Sequence, residues 1–478
     1  MTTHYENYID GRFVDGAGER IEVRNPASDA LLASVPESTD GQVAEAIGAA
    51  RRAQPGWEKL TAIQRAGYLR AVAQRIRGKA DALAEIITRE QGKVLGLARV
   101  EVDFTADYLD YMAEWARRIE GEIIPSDRPG ESIFLMRRPI GVTVGILPWN
   151  FPFFLIARKM APALITGNTI VIKPSEETPI NAFEFARLVH EAELPAGVFN
   201  LVGGRGASVG AQLSSSPDID LVSFTGSVAT GRRIMLAAGA NLTRVNLELG
   251  GKAPAIVLGD ADIDLAAKAI CDSRVINTGQ VCNCAERVYV ERSVASEFTD
   301  KVVARMAAVT YGDPIADPNV DMGPLVNRQG LDKVSAMVQR ARGDGAEVIL
   351  GGGEAPMERG YHYLPTVLVN CRHDMEIMRD EIFGPVLPIQ VVDSLEEAVS
   401  LGNDSVYGLT SSVFTRDLSK AMQACNTLRF GETYINREHF EAMQGFHAGR
   451  RHSGIGGADG KHGLLEYTET QVVYMQHG

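Results

Sequence analysis

The sequence predicts an α/β protein with two α/β domains and a separate extended arm. Two series of short apolar strands alternate with helical stretches, one before and one after the segment Glu248-Leu-Gly-Gly-Lys252. Strands separated by helices are typical of βαβ units, and such units form parallel sheets. A further extended region, which contains a turn, fits neither series. We therefore expect two helix-covered sheets that meet near Glu248–Lys252, and an arm outside both.

The predicted elements follow in order along the chain. The stretch to about Glu37 is predicted as strands and turns, and Asp40 to about Arg118 as two or three amphipathic helices. The strands of the first series are Val142–Leu147, Thr169–Ile172, Val198–Val202 and Leu221–Phe224. The strands of the second series are Pro254–Leu258, Ala285–Val290, Val386–Val392 and Ser411–Phe414.

Two segments fit neither domain. Glu122–Arg138 is predicted as an extended hairpin with Asp127-Arg-Pro-Gly130 as its turn, and Glu466–Met475 alternates like a strand with no obvious partner. Exposed strand edges need to be covered. We expect these segments to form an arm that pairs with another subunit; the alternative is a strand paired within one chain.

Charge and composition exclude several classes of protein. The 478 residues carry a net charge of −13, which argues against a nucleic-acid surface because such a surface needs clustered Lys and Arg. The first ten residues lack the apolar core of a secretory signal, and no run of about 18 apolar residues predicts a membrane span. The five cysteines, an odd number, predict free thiols in a reducing cytoplasm.

Two glycine-containing turns are candidates for binding a phosphate. Gly203-Gly-Arg-Gly206-Ala-Ser-Val-Gly210 follows a strand, but its spacing has one residue too many for a dinucleotide fingerprint. A tight β-to-α turn is the alternative there. Phe224-Thr-Gly-Ser227 also follows a strand and begins a helix, and the free N–H groups of a helix N-terminus suit a phosphate.

The strongest local signal for chemistry is Asn277-Thr-Gly-Gln-Val-Cys282-Asn-Cys284. Cys282 lies beside Gly, Gln and Asn between a helix and a strand, whereas Cys271 lies in an apolar run typical of a core. A nucleophilic cysteine needs an activating group and an oxyanion donor. Pro148-Trp-Asn150-Phe-Pro152 offers a rigid amide donor, with a structural turn as the alternative. No second Cys or His cluster lies near Cys284, so no metal is expected.

Six motifs together resemble the aldehyde dehydrogenase superfamily, in the family's order and over essentially the whole chain. They are Pro148-Trp-Asn-Phe-Pro152, Lys173-Pro-Ser-Glu176, Phe224-Thr-Gly-Ser227, Glu248-Leu-Gly-Gly-Lys252, Gly279-Gln-Val-Cys282 and Glu381-Ile-Phe-Gly-Pro385. The resemblance implies the aldehyde dehydrogenase fold: a Rossmann-like NAD-binding domain, an α/β catalytic domain and a β-hairpin oligomerisation arm. It also implies a homo-oligomer, either a tetramer or a dimer.

The resemblance gives expected bounds for these parts. The NAD-binding domain is expected at 1–120 and 140–248, and the oligomerisation arm at 121–139 and 463–478. The catalytic domain is expected at 249–462, of which the stretch near 446–462 could return to the NAD-binding domain.

The resemblance also assigns the catalytic roles. Cys282 matches the nucleophile, which attacks the aldehyde to form a thiohemiacetal and then a thioester. Asn150 matches the side-chain donor of the oxyanion hole, and Glu248 matches the base that activates water to hydrolyse the thioester. Because a base works best with a pKa near the operating pH, burial is expected to raise the pKa of Glu248 toward roughly 6–7.

The cofactor implied by the resemblance is NAD. Lys173 and Glu176 match the residues that hold the adenosine ribose, and a carboxylate there accepts from a 2′-hydroxyl but repels a 2′-phosphate. This favours NAD over NADP. The other implied cofactor contacts are Trp149, Gly226 and Ser227 at the pyrophosphate, Glu381 at the nicotinamide ribose, and Phe383 nearby.

Polar residues in the aldehyde tunnel are expected to set the choice of substrate. Three segments resemble the bacterial branch of the family that oxidises lactaldehyde and glycolaldehyde: Asn283-Cys-Ala-Glu-Arg287, Ile156-Ala-Arg-Lys-Met-Ala-Pro162 and Glu441-Ala-Met-Gln-Gly-Phe-His447. Gly449-Arg-Arg-His452 departs from that branch, which leaves the exact aldehyde open. The expected substrate contacts are Arg158, Asn283, His447, Phe151, Phe440 and Glu441.

Several alternatives stay open. Arg158 could bind a carboxylate, which would make the substrate a semialdehyde such as succinate semialdehyde, or it could pair with Glu441 and serve packing only. His447 could be a satisfied loop histidine. A CoA-acylating enzyme is disfavoured because Glu248 is present, and a non-catalytic role because Cys282 is present as well.

Overall fold

Two sheets lie in the predicted order along the chain, linked by the segment Glu248–Lys252. The structure is a computed structural model that describes residues 3–16 and 18–477. Residues 1, 2 and 17 of the predicted NAD-binding segments and residue 478 of the predicted arm lie outside the described residues.

The first sheet has eight strands among the described residues and is parallel at its centre. The predicted strands of the first series are all present, and most of their side chains are buried because their sequences are continuously apolar. The strand Arg244–Leu249 was not among the predicted strands, although its polar and apolar residues alternate as in a half-buried strand. In their order across the sheet, the strands are Gly454–Ile455, Arg244–Leu249, Leu221–Gly226, Val142–Ile146, Thr169–Lys173, Phe199–Leu201, Asn7–Ile9 and Arg12–Val14.

Helices pack against this sheet. Where the sequence predicts two or three helices between Asp40 and Arg118, the described residues form four. Apolar residues continue at helical spacing across the junctions between these helices, so local caps determine where the helices begin and end. A capping box at Thr61 begins the helix Ala62–Gly78, and Gly92, in the left-handed conformation with φ 84°, ends the helix Ala80–Gln91. The helices of this half are Asp40–Lys59, Ala62–Gly78, Ala80–Gln91, Leu95–Glu114, Phe154–Thr166, Ile180–Glu191, Ala211–Ser215 and Val228–Gly239, with short 3-10 and π turns at Trp115–Arg117 and Gly206–Gly210.

The second sheet has seven strands in the part of the chain that the structure describes. The predicted second series forms its centre in parallel pairing, again because these runs are apolar and buried. In their order across the sheet, the strands are Glu347–Leu350, Thr366–Val369, Val386–Val392, Ala285–Glu291, Ala253–Val257, Thr410–Phe414 and Glu432–Ile435. The helices of this half are Ile263–Val275, Ala295–Ala307, Arg328–Gly343, Glu376–Arg379, Leu395–Asn403 and Leu418–Thr427, with 3-10 turns at Ile276–Gly279 and Arg292–Val294.

Two smaller sheets complete the fold. Near the start of the described chain, Leu31–Pro36 pairs with Thr3–His4 and Arg20–Arg24. The predicted arm forms a sheet in which Glu131–Pro139 pairs antiparallel with Glu122–Pro125 on one side and with Thr468–Gln476 on the other. The late strand Thr468–Gln476 therefore has a partner within its own chain, which is the alternative given above, and sequence pattern alone does not show which distant segments pair.

The late part of the chain returns to the first sheet. Gly454–Ile455 pairs antiparallel with Leu247 and Glu248, after a 3-10 turn at Arg451–Ser453, and the helix Gly460–Leu465 follows. This return brings residues beyond 440 against the strand that carries Glu248. A search of the described residues finds no helix long and apolar enough to cross a membrane.

Candidate active site

A cavity of about 500 Å³ is lined by residues from both halves of the chain. Most of the predicted site residues face it, and Lys173, Glu176 and His447 lie outside its lining. The predicted residues that line it are Trp149, Asn150, Phe151, Arg158, Gly226, Ser227, Glu248, Cys282, Asn283, Glu381, Phe383, Phe440 and Glu441.

Cys282 lies in a tight turn between the 3-10 turn Ile276–Gly279 and the strand Ala285–Glu291. Its side chain is partly exposed in the cavity, whereas Cys284 is buried and its thiol donates to the Val281 carbonyl at 2.9 Å. Burial raises the pKa of the Cys284 thiol to about 12. Of these two thiols, only that of Cys282 is therefore placed to react with a ligand in the cavity.

A buried arginine holds the turn that carries Cys282. Arg274 donates to the Ala285 carbonyl at 2.9 Å and to the Gly279 carbonyl, on either side of Cys282. The φ of Gly279 is +72°, and a Cβ there would lie 2.3 Å from the Gly384 carbonyl oxygen, so the turn requires glycine.

The same arginine is joined to the loop that follows Glu381. Arg274 is paired at 2.8 Å with Glu286, which also binds Lys252 at 2.9 Å. The Glu286 carboxylate accepts from the backbone N–H groups of Ile382 and Phe383 at 2.9 and 3.1 Å. One buried cluster thus fixes the Cys282 turn and the Glu381 loop together.

Asn150 lies on the loop before the helix Phe154–Thr166, with its side chain directed at the turn that carries Cys282. Its Nδ2 donates to the Gln280 carbonyl at 3.0 Å. An amide NH2 has two hydrogens, so one remains for an oxyanion. The Asn150 carbonyl accepts from Lys93 Nζ at 2.8 Å and from Asn277 Nδ2 at 3.1 Å, which fixes the loop.

A buried ion pair stands behind this loop. Lys93 is paired with Glu101, and both side chains are fully buried. Glu101 also accepts from the backbone N–H groups of Phe153 and Phe154 at 2.9 and 3.1 Å, at the start of the helix. Lys93 Nζ lies 3.6 Å from the centre of the Phe151 ring, which lines the cavity.

Glu248 is buried at the end of its strand, and cations surround it. The Thr225 hydroxyl donates to its carboxylate at 3.4 Å, and Arg158 NH1 lies 3.9 Å from Oε2. Burial opposes ionisation of Glu248, but the charges of Arg158, Lys159 and His447 outweigh it and hold the pKa of the carboxyl below its usual range. The expected rise toward 6–7 is therefore wrong, because cations from distant segments reverse the effect of burial.

Arg158 is buried on the helix after Asn150 and is surrounded by carboxylates. Its Nε donates to Asp459 Oδ1 at 3.0 Å, and NH2 donates to Oδ2 of the same side chain. NH2 also lies 3.5 Å from Glu441 Oε1. Among the described residues, NH1 makes no hydrogen bond, and its nearest carboxylate, that of Glu248, is at 3.9 Å.

Sequence reasoning missed Asp459. It stands between Ala458 and Gly460 with φ 71° and ψ 162°, a backbone conformation that L residues rarely adopt. The only local sign is an aspartate in the small-residue run Gly456–Gly460, which does not identify its partner.

Asn283 and Phe440, two further predicted substrate residues, also line the cavity. Asn283 Nδ2 donates to Glu441, and the Asn283 carbonyl accepts from the Thr410 hydroxyl at 2.8 Å. Phe440 lies in the lining with its ring centre 6.0 Å from that of Phe104.

His447, by contrast, is 2% exposed, and its Nδ1 is 2.6 Å from Glu432 Oε1. The structure therefore brings Arg158, Asn283 and Glu441 together and places His447 behind them. Glu432 is a second residue that sequence reasoning missed.

The predicted phosphate site is at the N-terminus of the helix Val228–Gly239. Ser227 caps this helix by accepting from the Thr230 N–H at 3.3 Å, and Gly226 and Ser227 face the cavity. The other wall carries Trp149 and Phe383, whose rings meet edge to face with centres 5.5 Å apart. A helix N-terminus facing a cavity suits an anionic group.

Glu381 lines the cavity close to Phe383. Its carboxylate accepts from the Gly251 N–H at 2.9 Å, and a Cβ at Gly250 would lie 2.5 Å from it, so the Gly250–Gly251 pair allows the close approach. Burial raises the pKa of Glu381 to about 7, and the neighbouring Glu286 adds to the rise.

Lys173 ends a strand of the first sheet, and Glu176 follows it, next to the glycine cluster. Lys173 Nζ is 3.3 Å from Glu176 Oε2, and the Gly206 N–H donates to Oε1 at 3.1 Å. The cluster Gly203–Gly210 thus forms a turn and a short π-helix, and it contributes the backbone donor that orients Glu176.

No group of three or more His, Cys, Asp or Glu side chains among the described residues is arranged to hold a metal ion. The lining offers the Cys282 thiol, the buried Glu248 carboxylate and fixed hydrogen-bond donors.

Comparison with known proteins identifies the family. The sequence pattern of the Aldehyde dehydrogenase family matches residues 13–473. The chain belongs to the aldehyde dehydrogenase family. It is 59% identical over 470 residues to lactaldehyde dehydrogenase from Escherichia coli K12, across 98% of each chain.

Solved structures agree with this assignment. The crystal structure of lactaldehyde dehydrogenase from Escherichia coli matches all of both chains with a TM-score of 0.99 and 58% sequence identity. Betaine aldehyde dehydrogenase from Staphylococcus aureus, solved in complex with NAD+, matches with a TM-score of 0.96 and 35% identity, across 99% of this chain and 95% of that one. The fold is therefore the aldehyde dehydrogenase fold.

Aldehyde dehydrogenases use NAD or NADP, and the polar and aromatic groups that line this cavity, together with Glu176 outside its lining, fit such a cofactor. The free helix N-terminus at Ser227 suits a pyrophosphate, the carboxylates of Glu176 and Glu381 suit ribose hydroxyls, and the rings of Trp149 and Phe383 form an apolar wall.

Proposed function

We propose that this aldehyde dehydrogenase oxidises a small 2-hydroxyaldehyde, such as lactaldehyde or glycolaldehyde, with NAD. The observation that carries the proposal is NH1 of buried Arg158, which makes no hydrogen bond within the described part of the chain and lies beside Glu441 and Asn283 in the cavity wall. A hydroxyl on the carbon next to the aldehyde would accept from NH1 and donate to Glu441. The Escherichia coli relative that shares 59% of the sequence is named lactaldehyde dehydrogenase, which supports the same choice.

In this proposal Cys282, Asn150 and Glu248 perform the reaction. The Cys282 thiolate attacks the aldehyde carbon, and the electron pair of the C=O bond moves to oxygen. The oxygen then accepts hydrogen bonds from Asn150 Nδ2 and the Cys282 N–H, and losing one such donor typically slows a reaction by about 10²–10³-fold. The hydride of the former aldehyde carbon would pass to a bound NAD, which would restore the C=O bond and leave a thioester at Cys282. Glu248 then takes a proton from water, which attacks the thioester carbon and expels the Cys282 thiolate.

We also propose that the enzyme uses NAD in preference to NADP. The Glu176 carboxylate is held by Lys173 and the Gly206 N–H, and these two donors lower its pKa although burial opposes ionisation. An ionised carboxylate there accepts from a ribose 2′-hydroxyl and repels a 2′-phosphate.

A semialdehyde substrate fits the surroundings of Arg158 less well than a 2-hydroxyaldehyde does. Arg158 already faces Asp459, Glu441 and Glu248, and together these carboxylates hold its pKa well above the usual range against the effect of burial. A substrate carboxylate would enter beside Glu441 and Glu248, and like charges repel at this range. A neutral hydroxyl meets no such repulsion.

We propose the predicted domain roles without change. The segments 1–120 and 140–248 would bind NAD, 249–462 would carry the nucleophile, and 121–139 with 463–478 would join subunits of a cytoplasmic tetramer or dimer. In support of the arm, Ile123 and Tyr474 are 75% and 66% exposed on its small sheet. Apolar side chains exposed on a sheet favour burial against another subunit.

A matched substrate panel tests the function. NADH formation is measured with L-lactaldehyde, glycolaldehyde, propanal and succinate semialdehyde, each with NAD and NADP, and the Cys282→Ala variant is the blank. We expect the hydroxyaldehydes to lead in kcat/KM by tenfold or more, which is about 1.4 kcal/mol of transition-state preference. A higher kcat/KM for succinate semialdehyde than for the hydroxyaldehydes would show that the substrate is a semialdehyde, and the proposed mechanism would stand.

A further inference from the structure

The loop that carries the Asn150 amide is held at both ends by one buried ion pair. Lys93 Nζ donates to the Asn150 carbonyl at 2.8 Å. Glu101 accepts from the backbone N–H groups of Phe153 and Phe154 at 2.9 and 3.1 Å. Lys93 and Glu101 are bound to each other, and neither side chain has any exposed surface. The segment 150–154 therefore lies between contacts made by the same pair.

The polar atoms of the pair are all directed at the loop or at each other. Glu101 binds Lys93 through Oε2 and the two N–H groups through Oε1. Lys93 Nζ also lies 3.6 Å from the centre of the Phe151 ring, within the range of a cation–π contact. A displacement of Lys93 would thus disturb its contacts to Glu101, Asn150 and Phe151 together.

The same pair fixes the start of the helix Phe154–Thr166. Phe153 stands at the N-cap of this helix and has no side-chain acceptor, so the free N–H groups of the first turn need a partner from elsewhere. The Glu101 carboxylate is that partner, and a negative charge is favourable at a helix N-terminus. The Asn150 loop and the helix that follows it therefore share one anchor.

The Asn150 carbonyl that Lys93 binds also joins the loop to the turn that carries Cys282. Asn277 Nδ2 donates to this carbonyl at 3.1 Å, and Asn150 Nδ2 donates to the Gln280 carbonyl at 3.0 Å. A misplacement of about 1 Å in an active site can slow a reaction about 10²-fold. The position of the Asn150 amide relative to Cys282 is therefore the property that this pair controls.

We propose that Lys93 and Glu101 are positioning residues for the oxyanion, which act on the rate through the place of the Asn150 amide. Glu101 belongs to the cavity wall, but its side chain has no exposed surface, so the pair acts without contact to the aldehyde. This inference rests on the proposed function only in taking Asn150 as an oxyanion donor.

The test uses a variant that removes both charges at once. Losing Lys93 alone would leave the Glu101 charge buried and unpaired, which strongly destabilises a protein. Lys93→Met combined with Glu101→Gln keeps most of the volume, and such a replacement of a buried pair is often neutral. The new amide still accepts from the N–H groups of Phe153 and Phe154, so this pair variant loses chiefly the donor to Asn150. Circular dichroism confirms that it is folded.

The rate of NADH formation in the first turnover is measured by rapid mixing with NAD and saturating propanal. Propanal has no hydroxyl for Arg158, which lies on the helix that shares the anchor. The four proteins are the parent enzyme, the pair variant, Asn150→Ala, and the pair variant combined with Asn150→Ala.

We expect the pair variant to lower the first-turnover rate about tenfold or more and to change KM for propanal less than about threefold, because the oxyanion exists only after attack by Cys282. With Asn150→Ala already present, the same change should lower the rate less than about threefold, since the amide that the pair positions is gone.

Two results would overturn the proposal. One is an unchanged rate in the pair variant, and the other is an equal loss with and without the Asn150 amide, because the pair would then act by another route. Asn150→Ala alone tests the proposed function: an unchanged rate there would remove Asn150 as the donor and the role of the pair with it. An equal loss in both backgrounds would leave the proposed function intact.

Glu90→Gln is the matched control. Glu90 is buried and accepts from the N–H groups of Ile180 and Asn181 at 2.7 and 2.8 Å, so it anchors the start of another helix as Glu101 does. This variant should keep the first-turnover rate within about threefold of the parent value. A loss as large as in the pair variant would assign the effect to general packing and contradict the proposal.

A last measurement separates the amide from the thiol. Alkylation of Cys282 by iodoacetamide forms no oxyanion, so its rate in the pair variant should stay within about threefold of that in the parent enzyme. Peptide mass spectrometry identifies the alkylated residue, because Cys425 is also exposed. A fall as large as that in NADH formation would place the effect on the Cys282 turn and overturn the proposal.

Discussion

Arg158 and Asp459 are 301 positions apart in the sequence, yet the guanidinium Nε donates to the carboxylate at 3.0 Å and NH2 donates to its other oxygen. Asp459 makes this contact with a φ of 71°, a strained conformation that persists only when its surroundings fix it. Because two of the three guanidinium nitrogens are bound to Asp459, the third, NH1, is left for a ligand. The pair therefore orients the group on which the proposed substrate choice depends.

Asp459→Asn tests that orientation. The variant keeps the shape but loses the charge, so we expect kcat/KM to fall about tenfold for L-lactaldehyde and less than about threefold for propanal, which has no hydroxyl for Arg158 to bind. Breaking a buried pair leaves an uncompensated charge, so the free energy of unfolding in urea should fall by about 3 kcal/mol.

The control for this experiment is Asp393→Asn, which breaks an exposed pair with Arg292. Its effect on the free energy of unfolding should stay below about 1 kcal/mol. An equal loss of kcat/KM for both aldehydes in Asp459→Asn would show that Asp459 supports folding without orienting Arg158.

Arg158→Met tests the effect of this cation on the catalytic base. The pKa of Glu248 is lowered by Arg158, Lys159 and His447 against the effect of burial, so the carboxylate stays ionised as the pH falls. Removing Arg158 should raise this pKa, and the acid limb of kcat should move to higher pH. Propanal is the substrate for this measurement, because it lacks the hydroxyl that Arg158 is proposed to bind.

Arg158→Lys keeps a cation and serves as the control, with an acid limb expected closer to that of the parent enzyme. An acid limb that stays in place in Arg158→Met would show that another group, not Glu248, controls the pH dependence.

Glu248→Gln should separate the two halves of the reaction. The amide cannot take a proton from water, so one equivalent of NADH should form rapidly, followed by slow turnover as the thioester accumulates. Rapid-mixing absorbance at 340 nm measures the burst. A steady rate equal to that of the parent enzyme would remove Glu248 from the role of base.

Glu176→Gln should weaken the preference for NAD. Glutamine still accepts a hydrogen bond but no longer repels a 2′-phosphate, so the NADP to NAD ratio of kcat/KM should rise about tenfold, equivalent to about 1.4 kcal/mol. The neighbouring Glu177→Gln removes the same charge one position along and should leave the ratio near that of the parent enzyme. Equal ratios in all three proteins would assign the cofactor preference to other residues.

The sequence predicts the parts of this fold and site that depend on neighbours along the chain. Apolar runs such as Val386–Val392 give the observed bounds, and motifs such as Gly279-Gln-Val-Cys282 give the nucleophile turn. It does not predict Asp459 or Glu432, because an isolated carboxylate carries no sign of its distant partner. The predicted pKa of Glu248 failed for the same reason: burial can be inferred locally, but the cations around it come from other segments.

The late return of the chain to the first sheet has a consequence for synthesis. A nascent chain that has emerged only as far as residue 430 already contains Asn150, Glu248 and Cys282 but lacks Glu432, His447 and Asp459. The strand of Glu248 lacks its antiparallel neighbour Gly454–Ile455 at that stage, and Arg158 lacks its buried carboxylate. The site therefore forms only after this segment leaves the ribosome, because until then Arg158 lacks Glu441 and Asp459, two of the three carboxylates that surround it in the folded chain.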